Sequence, residues 1–138
     1  MIDVQLLGEA LSLDDCNQFV ADPACGGLAF FVGTIRNHNQ GETVTHLEFS
    51  SYDPMAIKEM QKIAERAIAE FGLAKISLHH RKGTLQIGDV AVIVAVSSHH
   101  RKAAFAGCEF IIDELKKTVP IWKKEFRDDG SFWINSRP

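Results

Sequence analysis

The stretch DPMAIKEMQKIAERAIAEFG, Asp53 to Gly72, constrains the fold more than any other because it is a helix marked at both ends. Asp53-Pro54 puts a carboxylate at the cap and a proline at the first helical position. Ile57, Met60, Ala64, Ala67, Ile68 and Phe71 then recur at helical spacing, and Gly72 is placed to end the helix. Such a helix has a single apolar stripe, so it must lie against something else, and the flanking sequence offers strands.

Ile2 to Leu7 alternates as a short strand, and Ser12 with Asp15 three residues later starts a short helix that runs through Val20 and ends at Pro23. GLAFFVG, Gly27 to Gly33, reads as a buried strand, followed by a polar loop from Arg36 to Glu42. Val44 to Ser51 alternates again, and these two strands are expected to form a long-looped hairpin. Lys75 to His80 and Val90 to Ser97 are strands joined by RKGTLQIGD. Arg101 to about Thr118 is a second long helix, with Phe105, Cys108, Ile111, Ile112 and Leu115 on one face, and Pro120 stops it. IWKKEF and SFWIN flank an Asp-Gly turn, as in a terminal hairpin whose Trp122, Phe126, Phe132 and Trp133 are expected in the core or an interface. The fold class is α+β: one domain spanning 1–138, a mainly antiparallel sheet, two long helices and a short N-terminal helix.

Charge and cysteine usage exclude several functions. A net charge of −3 and a pI near 6 give no general attraction to nucleic acid or to an anionic membrane, so any anion site must be local. Cys16, Cys25 and Cys108 are odd in number and lack CxxC pairing, which argues against a disulfide framework and a structural zinc. The N-terminal residues lack a signal-peptide pattern and no apolar run approaches a membrane span. A soluble, cytoplasmic chain is the expectation.

Three stretches could carry chemistry. In SSHHRKAAF the backbone N–H groups of a helix start lie beside His100 and Arg101, a pattern suited to an anion and equally to a solvated helix end. The loop GTIRNHNQGE carries Arg36, whose guanidinium can chelate a phosphate, although loops of this composition commonly only turn the chain. LKKTVPIWKKEF brackets a proline and a tryptophan with two lysine pairs. Lys116 and Lys117 suit a last helical turn. Lys123 and Lys124 lie on an extended segment that sends one to each face, so one of them points with the apolar side chains or into a cleft. A lysine crowded by cations and partly desolvated loses proton affinity and can act as nucleophile or proton acceptor. Adjacent histidines on a strand diverge and no HExxH spacing occurs, so no metal site is expected. The HHRK at His79 to Lys82 repeats at His99 to Lys102, with no surrounding similarity, and is treated as coincidence.

Taken together, VGTIRNHNQG, HHRKGTLQIGD, SSHHRKAAFAGCEFIIDELKKTVPIWKKE and the terminal FWINSR resemble the large, catalytic subunit of molybdopterin synthase, over essentially Gly27 to Arg137. The resemblance implies that family's α/β hammerhead fold and a sulfurtransferase active as a homodimer within a heterotetramer. Its partner would be a small ubiquitin-like sulfur-carrier subunit ending in a Gly-Gly thiocarboxylate. Its substrate would be cyclic pyranopterin monophosphate, converted to the molybdopterin dithiolene without a metal or organic cofactor. By motif, Lys116 would be the principal catalytic lysine and Lys123 the second. Arg36, His100 and Arg101 would bind substrate with backbone groups of Thr34 and Ile35, while Lys124, Glu125 and Arg137 would line the same pocket. The alternative from another class is a non-catalytic dimeric module that binds a phosphorylated small molecule or RNA through the same cluster, stacking Trp122 or Trp133 on a ring.

Overall fold

The computed structural model describes Met1 to Asn135. The elements follow in the order β1 (Ile2–Leu7), α1 (Leu13–Val20), β2 (Gly27–Thr34), β3 (His38–Asn39), β4 (Glu42–Ser51), α2 (Asp53–Phe71), β5 (Lys75–Arg81), β6 (Gly83–Gln86), β7 (Val90–Ser98), α3 (Arg101–Thr118), β8 (Ile121–Arg127) and β9 (Phe132–Asn135). The helices start and stop for the reasons legible in the sequence. Ser12 Oγ accepts from the Asp15 N–H at 3.1 Å, and Gly72 closes α2 in the left-handed conformation with φ 70°. Asp53, however, is not the cap of α2. Tyr52 holds that position without a side-chain bond, and the Asp53 carboxylate is drawn to Lys82 and Ser51 instead.

Two sheets form. The first runs β1-β5-β7-β2, with β1 parallel to β5 and the other pairs antiparallel. The second runs β3-β4-β8-β9, with β6 on β4. Burial on both faces of the first sheet explains the unbroken apolar run AVIVAV in β7. Val92, Val94 and Val96 face the large core shared with α2 and α3, whereas Ile93 and Ala95 face Cys16 and Val20 of α1. The inner face of the second sheet, through Leu47, Phe49, Leu85 and Ile121, packs into that same large core.

The expected hairpin between Gly27–Gly33 and Val44–Ser51 does not form: β2 pairs with β7, and β4 pairs with β3, β6 and β8. A register shift at Gly33/Thr34 ends the ladder, and Ile35 is then tied by backbone bonds to Asp89 at 3.0 Å and Gly88 at 2.8 Å, which carries the chain from one sheet to the other. The polar loop is in part structured. Gln40 and Gly41, with φ of 51° and 81°, form a two-residue turn that pairs β3 with the start of β4. The connection RKGTLQIGD likewise contributes β6. Phe105 is not on the buried face of α3 but 67% exposed. Of the terminal-hairpin aromatics expected in the core or an interface, Trp122, Phe132 and Trp133 are exposed and so not core, while Phe126 is half-buried.

The start of α3 lies against β2 with no room for a side chain. A Cβ added at Gly27 would lie 2.9 Å from the Cα and N of Arg101, and backbone cannot swing aside. Gly27→Ala is therefore expected to lower stability by about 1–3 kcal/mol, read as a lower denaturant midpoint at unchanged slope; an unchanged midpoint would contradict the close approach.

Candidate active site

Where the two sheets meet, a cavity of about 390 Å³ opens, of a size suited to a small molecule. Its floor is apolar, made by Leu47, Phe49, Ala91, Val92, Ile112 and Leu115, and its polar lining includes Thr34, Arg36, Asn39, Lys116, Lys123 and Glu125. The elements aim these groups by simple rules. Leu115 is buried and anchors the last turn of α3, so its neighbour Lys116 reaches the cavity mouth, while Lys117 turns outward to pair with Glu114 at 2.9 Å. Alternation along β8 then divides the second lysine pair. Lys123 and Glu125 face the cavity, whereas Lys124 lies on the outer face, its Nζ 5.0 Å from the Phe126 ring and 4.2 Å from the Phe132 ring.

The Lys123 ammonium is held below the ordinary lysine range. Burial is the largest cause; Glu125 opposes it, and Lys116 and Arg36 add to it by repulsion. All three neighbours are themselves cavity residues. Glu125 is buried, with Oε2 accepting from Asn39 Nδ2 at 3.2 Å and Oε1 lacking a partner among the described residues. Arg36 Nη2 donates to Asn39 Oδ1 at 3.4 Å.

Other expected site residues lie elsewhere. His100 and Arg101 begin α3, and Lys116 is near its end, so the rise of the helix separates them by about 22 Å. Both are exposed. The Ile35 side chain is buried, and its N–H and C=O are already committed to Asp89 and Gly88, so its backbone is not free for a phosphate. Arg137 lies outside the described residues. No cluster of three or more His, Cys, Asp or Glu able to hold a metal occurs among the described residues.

Three polar cavity residues, His38, Asn39 and His80, escaped the sequence reading of the site. Asn39 is hidden by the loop-like composition around it. His80 shares strand parity with Ile76 and Leu78, which is the signal that places it in the core. His80 Nδ1 donates to the Arg81 carbonyl at 2.8 Å, leaving Nε2 as an acceptor, and the ring stands edge-on to Phe49 with centroids 5.1 Å apart. Burial pushes its pKa down to about 4. His79 points to the opposite face. There burial alone would lower its pKa, but hydrogen bonds to Cys16 and to Asp3, at 3.4 and 2.7 Å, outweigh it and raise the value.

The two histidines therefore act on stability with opposite sign. His80 must become protonated on unfolding between pH 6.5 and about 4, so its contribution is present above pH 6.5 and is lost on acidification, by up to about 3 kcal/mol. The contribution of His79, whose folded value is raised, is present below pH 6.5 and fades as pH rises through that value. Urea midpoints measured from pH 7 to 4.5 should fall more steeply for the wild type than for His80→Gln; equal slopes would contradict the buried neutral imidazole.

The site thus gathers cations into a water-accessible hollow with an apolar floor, the arrangement of a group-transfer enzyme acting on small anionic substrates. Residues 6–118 match the family model described as MoaE protein. The chain is 40% identical over 126 residues to the molybdopterin synthase catalytic subunit of Pyrococcus abyssi, covering 91% of this chain and 85% of that protein. It is 39% identical over 134 residues to the human molybdopterin synthase catalytic subunit, covering 97% and 71%. The fold is similar to the crystal structure of molybdopterin synthase from Staphylococcus aureus, with a TM-score of 0.89, 34% identity and 94% of each chain covered. It also matches a complex of subunits 1 and 2 of molybdopterin-converting factor from Helicobacter pylori, with a TM-score of 0.68 and 20% identity over 93% of this chain and 86% of that one, a likeness of fold. The chain belongs to the MoaE protein family.

Proposed function

We propose that this chain is the catalytic subunit of a molybdopterin synthase, moving sulfur from the thiocarboxylated C-terminus of a small carrier subunit to cyclic pyranopterin monophosphate. The observation that carries the reading is the convergence of Arg36 from the loop after β2, Lys116 from α3, and Lys123 and Glu125 from β8 on one cavity in a chain of net negative charge. Both reactants are anions, and a local cationic pocket is what brings them together.

In this reading the thiocarboxylate sulfur bonds to a pyranopterin carbon as the cyclic phosphate opens, and charge develops on the departing phosphate oxygen. Arg36 and Lys116 stabilise that charge. Water then cleaves the carrier acyl group from the sulfur, releasing the carrier as a carboxylate, and a second round places the second sulfur on the neighbouring carbon, whose oxygen leaves as water. Lys123, with its lowered proton affinity, is the lysine best suited to take a proton. The apolar floor receives the ring system. Thr34 lines the mouth beside Arg36, and the outward Lys124 has no part in the pocket.

His100 and Arg101 are too far along α3 to reach the cavity of their own chain, so in this reading they bind substrate in the cavity of a second copy. The edge of β2, unpaired among the described residues, with Leu28, Phe30 and Phe31 exposed, and the neighbouring exposed Phe105 favour such a homodimer. No helix among the described residues is long and apolar enough to cross a membrane, and a cytoplasmic setting belongs to the same proposal.

Reconstitution tests it. The chain is incubated with a thiocarboxylated carrier and the pyranopterin, and the product is detected by its fluorescence after oxidation. Dithiolene formation dependent on the thiocarboxylate supports the enzyme; salt-sensitive retention of RNA without turnover would support a binding module instead.

A further inference from the structure

The hairpin that follows Arg36 holds Asn39 in a single register. Asn39 pairs with Glu42 across the Gln40-Gly41 turn, whose two central residues both have positive φ. From there its amide bonds in opposite directions, accepting from Arg36 Nη2 at 3.4 Å and donating to Glu125 Oε2 at 3.2 Å. An amide side chain serves a guanidinium and an ionised carboxylate at once, its oxygen accepting from the first and its NH2 donating to the second. No direct ion pair joins Arg36 to Glu125 among the described residues; a guanidinium and a carboxylate that met directly would form a two-pronged pair. That pair would neutralise the cation needed for an anionic ligand and consume both carboxylate oxygens. Instead, Glu125 is 2% exposed and its Oε1 has no partner among the described residues, although buried polar atoms are ordinarily bonded.

We propose that Asn39 is a positioning residue that holds Arg36 and Glu125 apart. Arg36 thereby stays free for the substrate phosphate, and Glu125 Oε1 stays free to accept an N–H of the heterocycle. The roles assigned to phosphate and heterocycle rest on the function proposed above; the spacer role itself does not.

The test uses inorganic phosphate as a probe, with affinity measured by calorimetry on the full chain, so that it needs neither carrier nor turnover. Asn39→Ala should weaken phosphate binding about tenfold, the scale of one lost charge-assisted contact. Adding Glu125→Gln should restore it, because a neutral amide no longer captures the guanidinium. A hairpin that had merely collapsed would not be rescued by a change on β8. Asn39→Ser, too short to span both partners, serves as the second variant if the alanine form fails to fold. In the reconstituted enzyme the same alanine change should raise KM for the pyranopterin with kcat little altered. Unchanged phosphate affinity in Asn39→Ala, a loss not reversed by Glu125→Gln, or no phosphate binding by the wild type would each overturn the proposal. Loss of sulfur transfer in the wild type, with the phosphate series as expected, would overturn only the function.

Discussion

Replacing Lys116 by alanine is expected to reduce dithiolene formation by about two to three orders of magnitude, the cost of removing one preorganised charge from a transition state. The carrier should still bind. Lys116 is an exposed side chain at the cavity mouth, beyond the buried Leu115, so its loss leaves the core intact. Calorimetry of carrier binding and a thermal unfolding curve should both match the wild type. Unchanged turnover in Lys116→Ala would sink the assignment, whereas a matching loss of carrier affinity would move the role from chemistry to docking.

Lys123 carries the second large effect, and its charge-conserving variant is the informative one. Arginine keeps the cation but does not deprotonate near neutral pH. If Lys123 accepts a proton, Lys123→Arg should fall by about 10²- to 10⁴-fold. The sign of the pH dependence follows from the lowered proton affinity of Lys123. The active, neutral amine becomes more populated as pH rises, so kcat should climb with pH and level off before the ordinary lysine range. Glu125 works against this shift and Lys116 with it, so Glu125→Gln should move the rise to lower pH and Lys116→Ala should move the residual activity to higher pH. Wild-type rates in Lys123→Arg, with a flat profile, would leave Lys123 only an electrostatic part.

Much of the fold was legible because its signals are local. Ser12, Pro54, Gly72 and Pro120 mark helix ends through chemistry that acts within a few residues, and the Asp-Gly turn before Ser131 marks the last hairpin. Strand pairing was harder because partners are chosen by which faces need covering. Two strands close in sequence, β2 and β4, look like a hairpin, yet β2 is taken by β7 and β4 by β8. Phe105 fits the helical spacing of the buried face of α3 but falls at its edge, where neither sheet covers it. Within the site, strand alternation sent Lys123 and Lys124 to opposite faces without saying which faces the cavity. The family resemblance placed both there, and only the fold turned Lys124 outward. Lys116 was separated from Lys117 through the family resemblance.

Other site relations depended on distance through space. His100 and Arg101 share a motif-rich stretch with Lys116, but a straight helix carries them to its far end. Asn39 and Glu125 are 86 residues apart in the chain and meet only because β4 lies between β3 and β8 and sets both registers. His79 and His80 are neighbours with opposite proton affinities, since one strand presents them to two different environments. By itself, then, the sequence determined the helices, their ends, the alternation of each strand and the residue types able to hold an anion, because these follow from bonded neighbours and side-chain chemistry. Tertiary structure alone decided which of those residues share a cavity, which lysine is desolvated and which carboxylate oxygen is left unpartnered. Burial and electrostatic coupling depend on atoms brought close by folding, and that closeness is not written along the chain.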